Sequence, residues 1–389
     1  MLVTHSPSIV LVAQDGGLKF VFATVRGAVE FLSIRRYILS TTIENLRETL
    51  VAAIENSVCR ESCSMRYNRR QFTYTALGVC GALAVQDQSL IAQTANLPII
   101  DTHQHLWDLV QFQPPWLGDA DARIAAKHDM RDYVSETTGL NLVKAVYMEV
   151  DVAQADQVKE AEYVLGLIRD GKSPTVAAVI SGRPNSPDFA PYMERYRNNA
   201  AIKGVRQVLH VPSAQRGLCL QAQFIKSVQL LGAMGKSFDL CMRPTELADG
   251  AELAGRCPDT RFIVDHCGNA DPKAWSPANG PTPPTHDVDS WKRDIEKLAA
   301  RPNVVCKISG IVAGAPRGWK TDDLAPAINF CLDAFGPDRV MFGGDWPVCK
   351  LGASFAQWVN SLKEIVSQRP TAAQKKLLHD NAQAFYGLS

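Results

Sequence analysis

The sequence lacks an excess of charge of either sign, closely paired cysteines and a long apolar run. Lys and Arg total 41 against 40 Asp and Glu, a formal net charge of +1. The chain therefore has no large excess of positive charge of the kind that binds nucleic acid or an anionic membrane surface. We therefore expect a small-molecule substrate and no nucleic-acid partner.

The ten cysteines include no Cys-x-x-Cys pair. Several of them, such as Cys241, Cys267 and Cys306, lie inside apolar runs that are typical of strands. This placement favours buried free thiols over disulfides or a thiolate metal site. What the chain does have is 46% hydrophobic and 21% charged residues over 389 positions, enough to bury a sizeable core.

The first part of the chain differs from the rest. Arg69-Arg70, then Phe72 and a short apolar run over residues 73–84, resemble a twin-arginine export signal. The run is too short for a permanent membrane span, which takes about 20 apolar residues. The alternative is an ordinary amphipathic helix with two exposed arginines.

Export signals stand at the amino terminus, so this pattern predicts a natural start at Met65. We divide the chain accordingly into an upstream extension at residues 1–64, a signal segment at 65–95 and a main domain at 96–389. A start at Met65 predicts export to the periplasm. If residues 1–64 are translated, the signal is internal and a cytoplasmic location follows instead.

From Leu97 onward, short β-rich runs alternate with longer segments whose apolar residues recur at helical spacing. Eight such units over this length predict a closed (β/α)8 TIM barrel. A doubly wound open sheet would need a glycine-rich turn after its first strand, where this chain has His103-Gln-His105. The predicted strands are Ile99–His105, Ala145–Val150, Thr175–Ile180, Ile202–Leu209, Phe238–Met242, Phe262–Cys267, Val304–Ile308 and Val340–Gly344.

Unusual polar residues stand at the carboxyl ends of these strands, where barrel enzymes build their active sites. Two histidines two positions apart on one strand point the same way, so their rings can converge on one metal ion or one carbonyl oxygen. A His-x-His pair alone is equally compatible with packing. The presence of His, Asp, Glu or Arg at several separate strand ends favours a functional site. The residues are His103 and His105, Glu149, His210, Arg243, His266 and Asp345.

Together these motifs resemble the amidohydrolase-related (amidohydrolase 2) metal-dependent hydrolases, in particular the branch of sugar lactonases and 2-pyrone-4,6-dicarboxylate lactonases. The resemblance extends from Ile99 to Phe385-Tyr386. The motifs that carry it are Asp101-Thr-His-Gln-His-Leu-Trp-Asp108, Gly204-Val-Arg206, Asp239-Leu-Cys-Met-Arg-Pro244, Asp265-His-Cys-Gly268, Lys307-Ile-Ser-Gly310 and Phe342-Gly-Gly-Asp-Trp-Pro347.

The resemblance implies a hydrolase in which His103 and His105 form the first-strand pair, His266 is the sixth-strand histidine and Asp345 activates water. Two features depart from the dinuclear members of the family. Lys203 stands at the start of the fourth strand, where it cannot serve as the carboxylated lysine at the mouth. The fifth strand ends in Met242-Arg243 instead of a metal-binding histidine.

Two alternatives for the cofactor therefore stay open. One is a single divalent ion, zinc or manganese, held by His103, His105 and Asp345, with Glu149 or His210 as less favoured further ligands. The other is catalysis without a metal, since the lactonase branch includes such enzymes. In either case we expect Asp345 to act as general base while the histidines stabilise the oxyanion.

Substrate binding is predicted for Arg206 and Arg243, whose guanidinium groups can grip a carboxylate or sugar hydroxyls. His210 is a further candidate contact, and Trp107 and Trp346 would stack on a ring, although both tryptophans are equally consistent with packing. Arg206 can instead pair with a carboxylate at a neighbouring strand end.

The predicted reaction is opening of a small sugar-derived or pyrone lactone by water. Alternatives are a metal-dependent non-oxidative decarboxylase of the same family and an inactive periplasmic barrel that only binds sugars or aromatic acids. No Gly-x-Ser-x-Gly sequence is present for a serine nucleophile. A homo-oligomer stays open, since such barrels often pair and no interface is evident.

Overall fold

The structure is a computed structural model that describes residues 9–14, 17–22, 31–33, 96–275 and 282–388. The chain divides into two compact units, residues 1–81 and 82–389. In the first unit, strands Ile9–Gln14, Gly17–Phe22 and Phe31–Ser33 form an antiparallel sheet. The predicted export signal at 65–95 lies outside the described residues, so export and the start at Met65 stay predictions.

The second unit is an eight-stranded parallel sheet whose spatial order follows the chain order. The predicted TIM barrel is therefore confirmed, with every predicted strand present within a few residues of its expected bounds. The strands are β1 Ile99–Gln104, β2 Leu142–Met148, β3 Thr175–Ser181, β4 Ile202–Val208, β5 Ser237–Cys241, β6 Arg261–Val264, β7 Val304–Ile308 and β8 Val340–Phe342.

Helices alternate with the strands and cover the outside of the sheet. Their buried faces carry large apolar side chains, as in the helix Ala222–Ala233, where Phe224, Val228 and Leu231 are fully buried. The α-helices of more than four residues are α1 Met130–Thr137, α2 Gln157–Asp170, α3 Phe189–Glu194, α4 Ala222–Ala233, α5 Leu247–Arg256, α6 Val288–Ala299, α7 Thr321–Phe335, α8 Phe355–Ile365, α9 Thr371–Lys375 and α10 Asn381–Tyr386.

The core lies between sheet and helices, and the barrel interior is unusually polar. Alternate residues of a strand point to opposite faces, so Phe238 and Leu240 of β5 pack outward against helices while Asp239 and Cys241 point inward. Each of the seven cysteines in the described residues is buried and free, as predicted. No helix in the described part of the chain is long and apolar enough to cross a membrane.

The barrel is closed between β1 and β8 largely by side chains. The Asp101 carboxylate accepts the backbone N–H of Gly344 at 2.7 Å and the Tyr133 hydroxyl at 2.8 Å. The Thr102 hydroxyl donates to the carbonyl of Phe342 at 2.6 Å. A single parallel bridge, Gln104 to Trp346, continues the contact beyond the end of β8. This closure brings the first and last strand ends together.

Thr102→Val tests the contribution of closure to stability. Valine keeps the shape of threonine but lacks its hydroxyl, so the buried carbonyl of Phe342 loses this hydrogen-bond donor. We expect the free energy of unfolding, measured by urea denaturation, to fall by about 1 to 3 kcal/mol.

The matched control is Thr138→Val. The Thr138 hydroxyl also donates to a backbone carbonyl, that of Val134 at 2.8 Å, but at an exposed helix end where water can replace it. Its effect should stay within about 0.5 kcal/mol. Equal losses in the two variants would contradict the role given to Thr102.

Candidate active site

A cavity of about 530 Å³ lies at the carboxyl ends of the barrel strands. It is lined by candidate residues from several strand ends and by Trp107 and Trp116, of which Trp107 is buried. Aromatic walls around a few convergent polar groups are typical of small-molecule sites. The sequence-predicted residues that line it are His105, Trp107, Arg206, His210, His266 and Asp345.

Three imidazoles surround one carboxylate oxygen at the cavity floor. Asp345 Oδ1 lies 3.3 Å from His105 Nε2 and 3.7 Å from His103 Nε2. His266 Nε2 lies 3.9 Å from the same oxygen. His103 is fully buried behind the cavity, whereas the other three side chains reach its surface. The structure thus brings the four predicted catalytic residues together.

Two of these side chains, those of Asp345 and His266, belong to residues with a left-handed backbone conformation. Asp345 has a φ of 54°, and His266 to Asn269 form a four-residue turn with φ between 51° and 68° throughout. Left-handed backbone costs about 1 to 2 kcal/mol per non-glycine residue. Such strain persists only where the surroundings impose it, and it concentrates at functional sites.

The turn after β6 is fixed from three sides. Trp291 Nε1 donates to the carbonyl of Cys267 at 3.1 Å, and Asn269 Nδ2 donates to that of Met242 at 2.6 Å. The third contact is between His266 Nδ1 and Ser309 Oγ, at 2.9 Å. These bonds offset the backbone strain and hold the His266 ring in one orientation.

Hydrogen bonds to the other ring nitrogens define the tautomers of the first-strand pair. His105 Nδ1 faces the carbonyl of Met148 at 2.9 Å, which can only accept, so the proton of neutral His105 is on Nδ1. His103 Nδ1 faces Asp265 Oδ1 at 3.6 Å, while its Nε2 lies 3.2 Å from a guanidinium nitrogen of Arg206. The proton of neutral His103 is therefore also on Nδ1.

Both Nε2 atoms thus present lone pairs toward Asp345 Oδ1. Burial lowers the pKa of His103 well below its usual value, and the charge of Lys307 lowers it further, so its ring is neutral at neutral pH. Three acceptors that face one another in a buried site repel unless a cation or a proton lies between them. The Arg206 guanidinium already compensates His103 Nε2, and a divalent ion placed among the three acceptors would compensate all of them.

The donor set of His103, His105 and Asp345 fits one divalent metal ion. Its ligand atoms all lie within 4.8 Å of one another, and the nitrogen and oxygen donors suit zinc. Metal-binding histidines usually donate their second N–H to a carbonyl or carboxylate, as His105 does here to the carbonyl of Met148. Because His103 Nε2 has one lone pair, metal binding would replace its contact with Arg206. His103, Asp265 and His266 form a second, overlapping group.

A buried ion network lies beneath the histidines. Lys307 Nζ contacts Asp239 Oδ2 at 2.5 Å and Asp265 Oδ1 at 3.3 Å. Arg206 donates from Nε to Glu149 Oε1 at 2.6 Å and lies 3.5 Å from Asp265 Oδ2. Burial alone would raise the pKa of Asp265, but the charges of Lys307 and Arg206 lower it overall. Arg206 thus pairs with strand-end carboxylates while its edge reaches the cavity floor.

Two residues predicted to bind substrate lie away from the cavity surface. Arg243 pairs with Glu246 at 2.7 Å and donates to the carbonyls of Val211 and Ala214, so it braces the loop after β4. Trp346 is fully buried, and its ring packs against His128 and Tyr133. Neither residue is among those that line the cavity.

Cys241 is a cavity residue that was not assigned to the site from sequence. The strand β5 ends at Cys241 instead of Met242-Arg243, and its thiol lies 3.3 Å from His210 Nδ1. Burial lowers the pKa of His210 to about 4, so this ring is neutral at neutral pH. The alternation of Asp239 and Cys241, both inward, was the signal that could have identified it. Lys203, at the opposite end of β4, does not reach the cavity.

A family model and several known proteins match this chain over the barrel. The family model described as amidohydrolase matches residues 100–388. The chain is 28% identical over 308 residues to the protein y4mH of Sinorhizobium fredii, covering 75% of this chain and 99% of the relative. It is 29% identical over 291 residues to L-fucono-1,5-lactonase of Burkholderia multivorans, covering 72% of this chain and 92% of the relative.

Among solved structures, the chain is similar to an amidohydrolase from Burkholderia multivorans with bound zinc. The identity is 26%, the TM-score is 0.64, and the match covers 75% of this chain and 100% of that chain. The family match includes every strand of the barrel and each residue at the cavity floor. This chain belongs to the amidohydrolase family.

Proposed function

We propose that the protein hydrolyses a small, neutral, sugar-derived lactone by attack of water on the ring carbonyl. The observation that carries this proposal is the convergence of His103, His105 and His266 on Asp345 at the cavity floor. The similarity to a sugar lactonase supports the same reaction class.

Asp345 is the general base. Its carboxylate reaches the cavity, where it can take a proton from water as the oxygen attacks the carbonyl carbon. The ester C–O bond then breaks, and the proton returns to the departing ring oxygen, which yields one hydroxy acid per water consumed. The product acid ionises at neutral pH, so turnover releases one proton to the solution.

His266 is positioned to stabilise the oxyanion. Burial lowers its pKa, so the ring is neutral at neutral pH. With the Ser309 hydroxyl donating to Nδ1, the ring proton lies on Nε2, which faces the cavity and can donate to the developing negative charge. If a divalent ion is bound by His103, His105 and Asp345, it supplies Lewis-acid polarisation and a more acidic water.

The charges of the cavity favour hydroxyl groups over multiple carboxylates. Asp151, Asp271 and Asp345 line it, against Arg206 and Lys273 among the described residues. Arg206 is already compensated by Glu149 and Asp265, Asp151 by Arg183 and Asp271 in part by Lys273, which leaves Asp345 as the least compensated charge. A dicarboxylate would meet net negative charge, whereas the hydroxyls of a neutral sugar lactone can donate to these carboxylates.

Asp345→Asn should abolish lactone hydrolysis. The amide keeps the shape but cannot accept the proton of water, so we expect kcat to fall about 10² to 10⁴-fold. Proton release is measured with a pH indicator on sugar and pyrone lactones, beginning with L-fucono-1,5-lactone. Asp170→Asn, a change at an exposed carboxylate paired with Lys172, is the control.

Retention of more than a tenth of wild-type activity in Asp345→Asn would contradict the proposed base. Evolution of carbon dioxide from aromatic acids, without lactone turnover, would identify the decarboxylase alternative. Ligand binding without turnover of either substrate class would favour an inactive binding barrel.

Gly310→Ala should displace His266. A Cβ at Gly310 would lie 2.2 Å from His266 Nδ1 and 2.4 Å from Cγ, and the φ of +66° adds strain. A shift of about 1 Å in a catalytic group can cost about a hundredfold in rate, and we expect a loss of that size in kcat.

Gly318→Ala is the matched control for this prediction. Its φ of +78° imposes comparable backbone strain, but no atom lies within 4 Å of the added Cβ. Circular dichroism and thermal unfolding report whether each variant folds. Similar activity in the two folded variants would show that the His266 ring does not need the space above Gly310.

We expect the chelated protein to bind one zinc ion per chain, measured by calorimetry and by metal analysis. His105→Phe removes one ligand of the donor set and should weaken zinc binding by more than about tenfold. His379→Phe, at a half-buried histidine paired with Asp380, is the control. Undiminished lactonase activity after chelation, with no zinc uptake, would instead establish the metal-free alternative.

A further inference from the structure

Among the described residues, two cationic side chains line the cavity. They differ in how fully neighbouring carboxylates compensate their charge. Arg206 contacts Glu149 at 2.6 Å and 2.8 Å, His103 at 3.2 Å and Asp265 at 3.5 Å. Its side chain is only 5% exposed. Arg206 is therefore a structural cation of the floor with little capacity left for a charged ligand.

Lys273 is the less satisfied of the two. Its Nζ lies 3.3 Å from Asp271 Oδ1, and its side chain is 22% exposed. The same carboxylate also accepts the backbone N–H groups of Lys273 and Thr285, both at 3.0 Å. Because Asp271 is shared in this way, its compensation of the ammonium is partial, and N–H donors of Lys273 remain for a ligand.

The segment that carries Lys273 is anchored. Trp275, two residues on, packs edge-on against Trp291 with ring centroids 5.2 Å apart. The backbone N–H of Asp271 donates to His286 Nε2 at 2.9 Å. A lysine on an anchored turn loses less conformational freedom on binding than a lysine on an open surface.

Lys273 also stands between the cavity and a neighbouring groove. Lys273, Ala313 and Gly314 line both. The groove further carries more cations than carboxylates, namely Arg123, Arg317 and Lys320 against Asp121 and Glu364. The positive charge therefore increases outward from the cavity floor, where Asp345 is negative. Such a gradient acts on an anion and leaves a neutral molecule unaffected.

We propose that Lys273 binds the carboxylate of the acyclic hydroxy acid that forms when the ring opens. This inference rests on the proposed lactone hydrolysis, in which a neutral substrate becomes an anion within the cavity. Lys273 pairs with the new carboxylate and draws it away from Asp345 toward the mouth. It is a product-binding residue that discriminates the opened acid from the closed lactone.

The test measures acid binding and lactone turnover separately in Lys273→Met. Calorimetry gives the Kd of L-fuconate, and kinetics with L-fucono-1,5-lactone give KM together with the inhibition constant of L-fuconate. We expect the Kd and the inhibition constant of the acid to rise at least about tenfold, with a much smaller change in KM. Wild-type acid binding should weaken with added salt, whereas binding to Lys273→Met should not.

Two further variants separate charge from folding. Lys273→Arg keeps the charge and should retain acid binding to within about threefold. Lys172→Met removes a lysine that also pairs with a carboxylate but does not line the cavity, and it should leave activity and acid binding unchanged. Equal changes in KM and in the acid inhibition constant of Lys273→Met would overturn the inference.

An unchanged Kd for L-fuconate in Lys273→Met would also overturn it, even if lactone hydrolysis is confirmed. If the wild type hydrolyses no lactone, the proposed function fails instead. Calorimetry with a panel of acyclic hydroxy acids still tests Lys273 in that case. Acid binding that depends on Lys273 would then support the residue's role without the reaction.

Discussion

The buried carboxylate of Asp265 is the contact on which the arrangement of the site depends. It faces Lys307 at 3.3 Å, Arg206 at 3.5 Å and His103 Nδ1 at 3.6 Å. These partners come from three different strands, so one side chain links much of the barrel interior. Removing one member of such a network leaves an uncompensated charge, which costs far more than the intact network contributes. The inward face of the barrel is therefore fixed before any substrate enters.

The same network sets the chemical character of the residues above it. Two cations held beneath the histidines disfavour protonation of His103, whose pKa burial has already lowered. Neutral rings can bind metal or act as hydrogen-bond partners, whereas imidazolium rings would pair with Asp345 and occupy the base. The carboxylate of Asp345, the proposed base, thus stays available because positive charge is concentrated one layer below it.

The fold and the strand-end residues could be predicted because a parallel barrel converts sequence order into spatial order. His103, His105, His266 and Asp345 meet wherever eight such strands close. The directions of other side chains depend on loop geometry that periodicity does not encode. Arg243 turns toward carbonyls of the loop after β4, and Lys273 reaches the cavity from the short 3-10 helix Pro272–Trp275. The strand β5 ends at Cys241, one residue earlier than predicted, and strand alternation places Cys241 inward together with Asp239.

Closure of the barrel by Asp101 also has a kinetic consequence. The hydrogen bond from Gly344 to Asp101 joins residues separated by 243 positions. Contacts between such distant residues form late, because loop-closure entropy opposes them until much of the remaining structure is in place. During synthesis, His103 and His105 leave the ribosome long before Asp345. The four residues at the cavity floor therefore cannot come together until the last strand has been made.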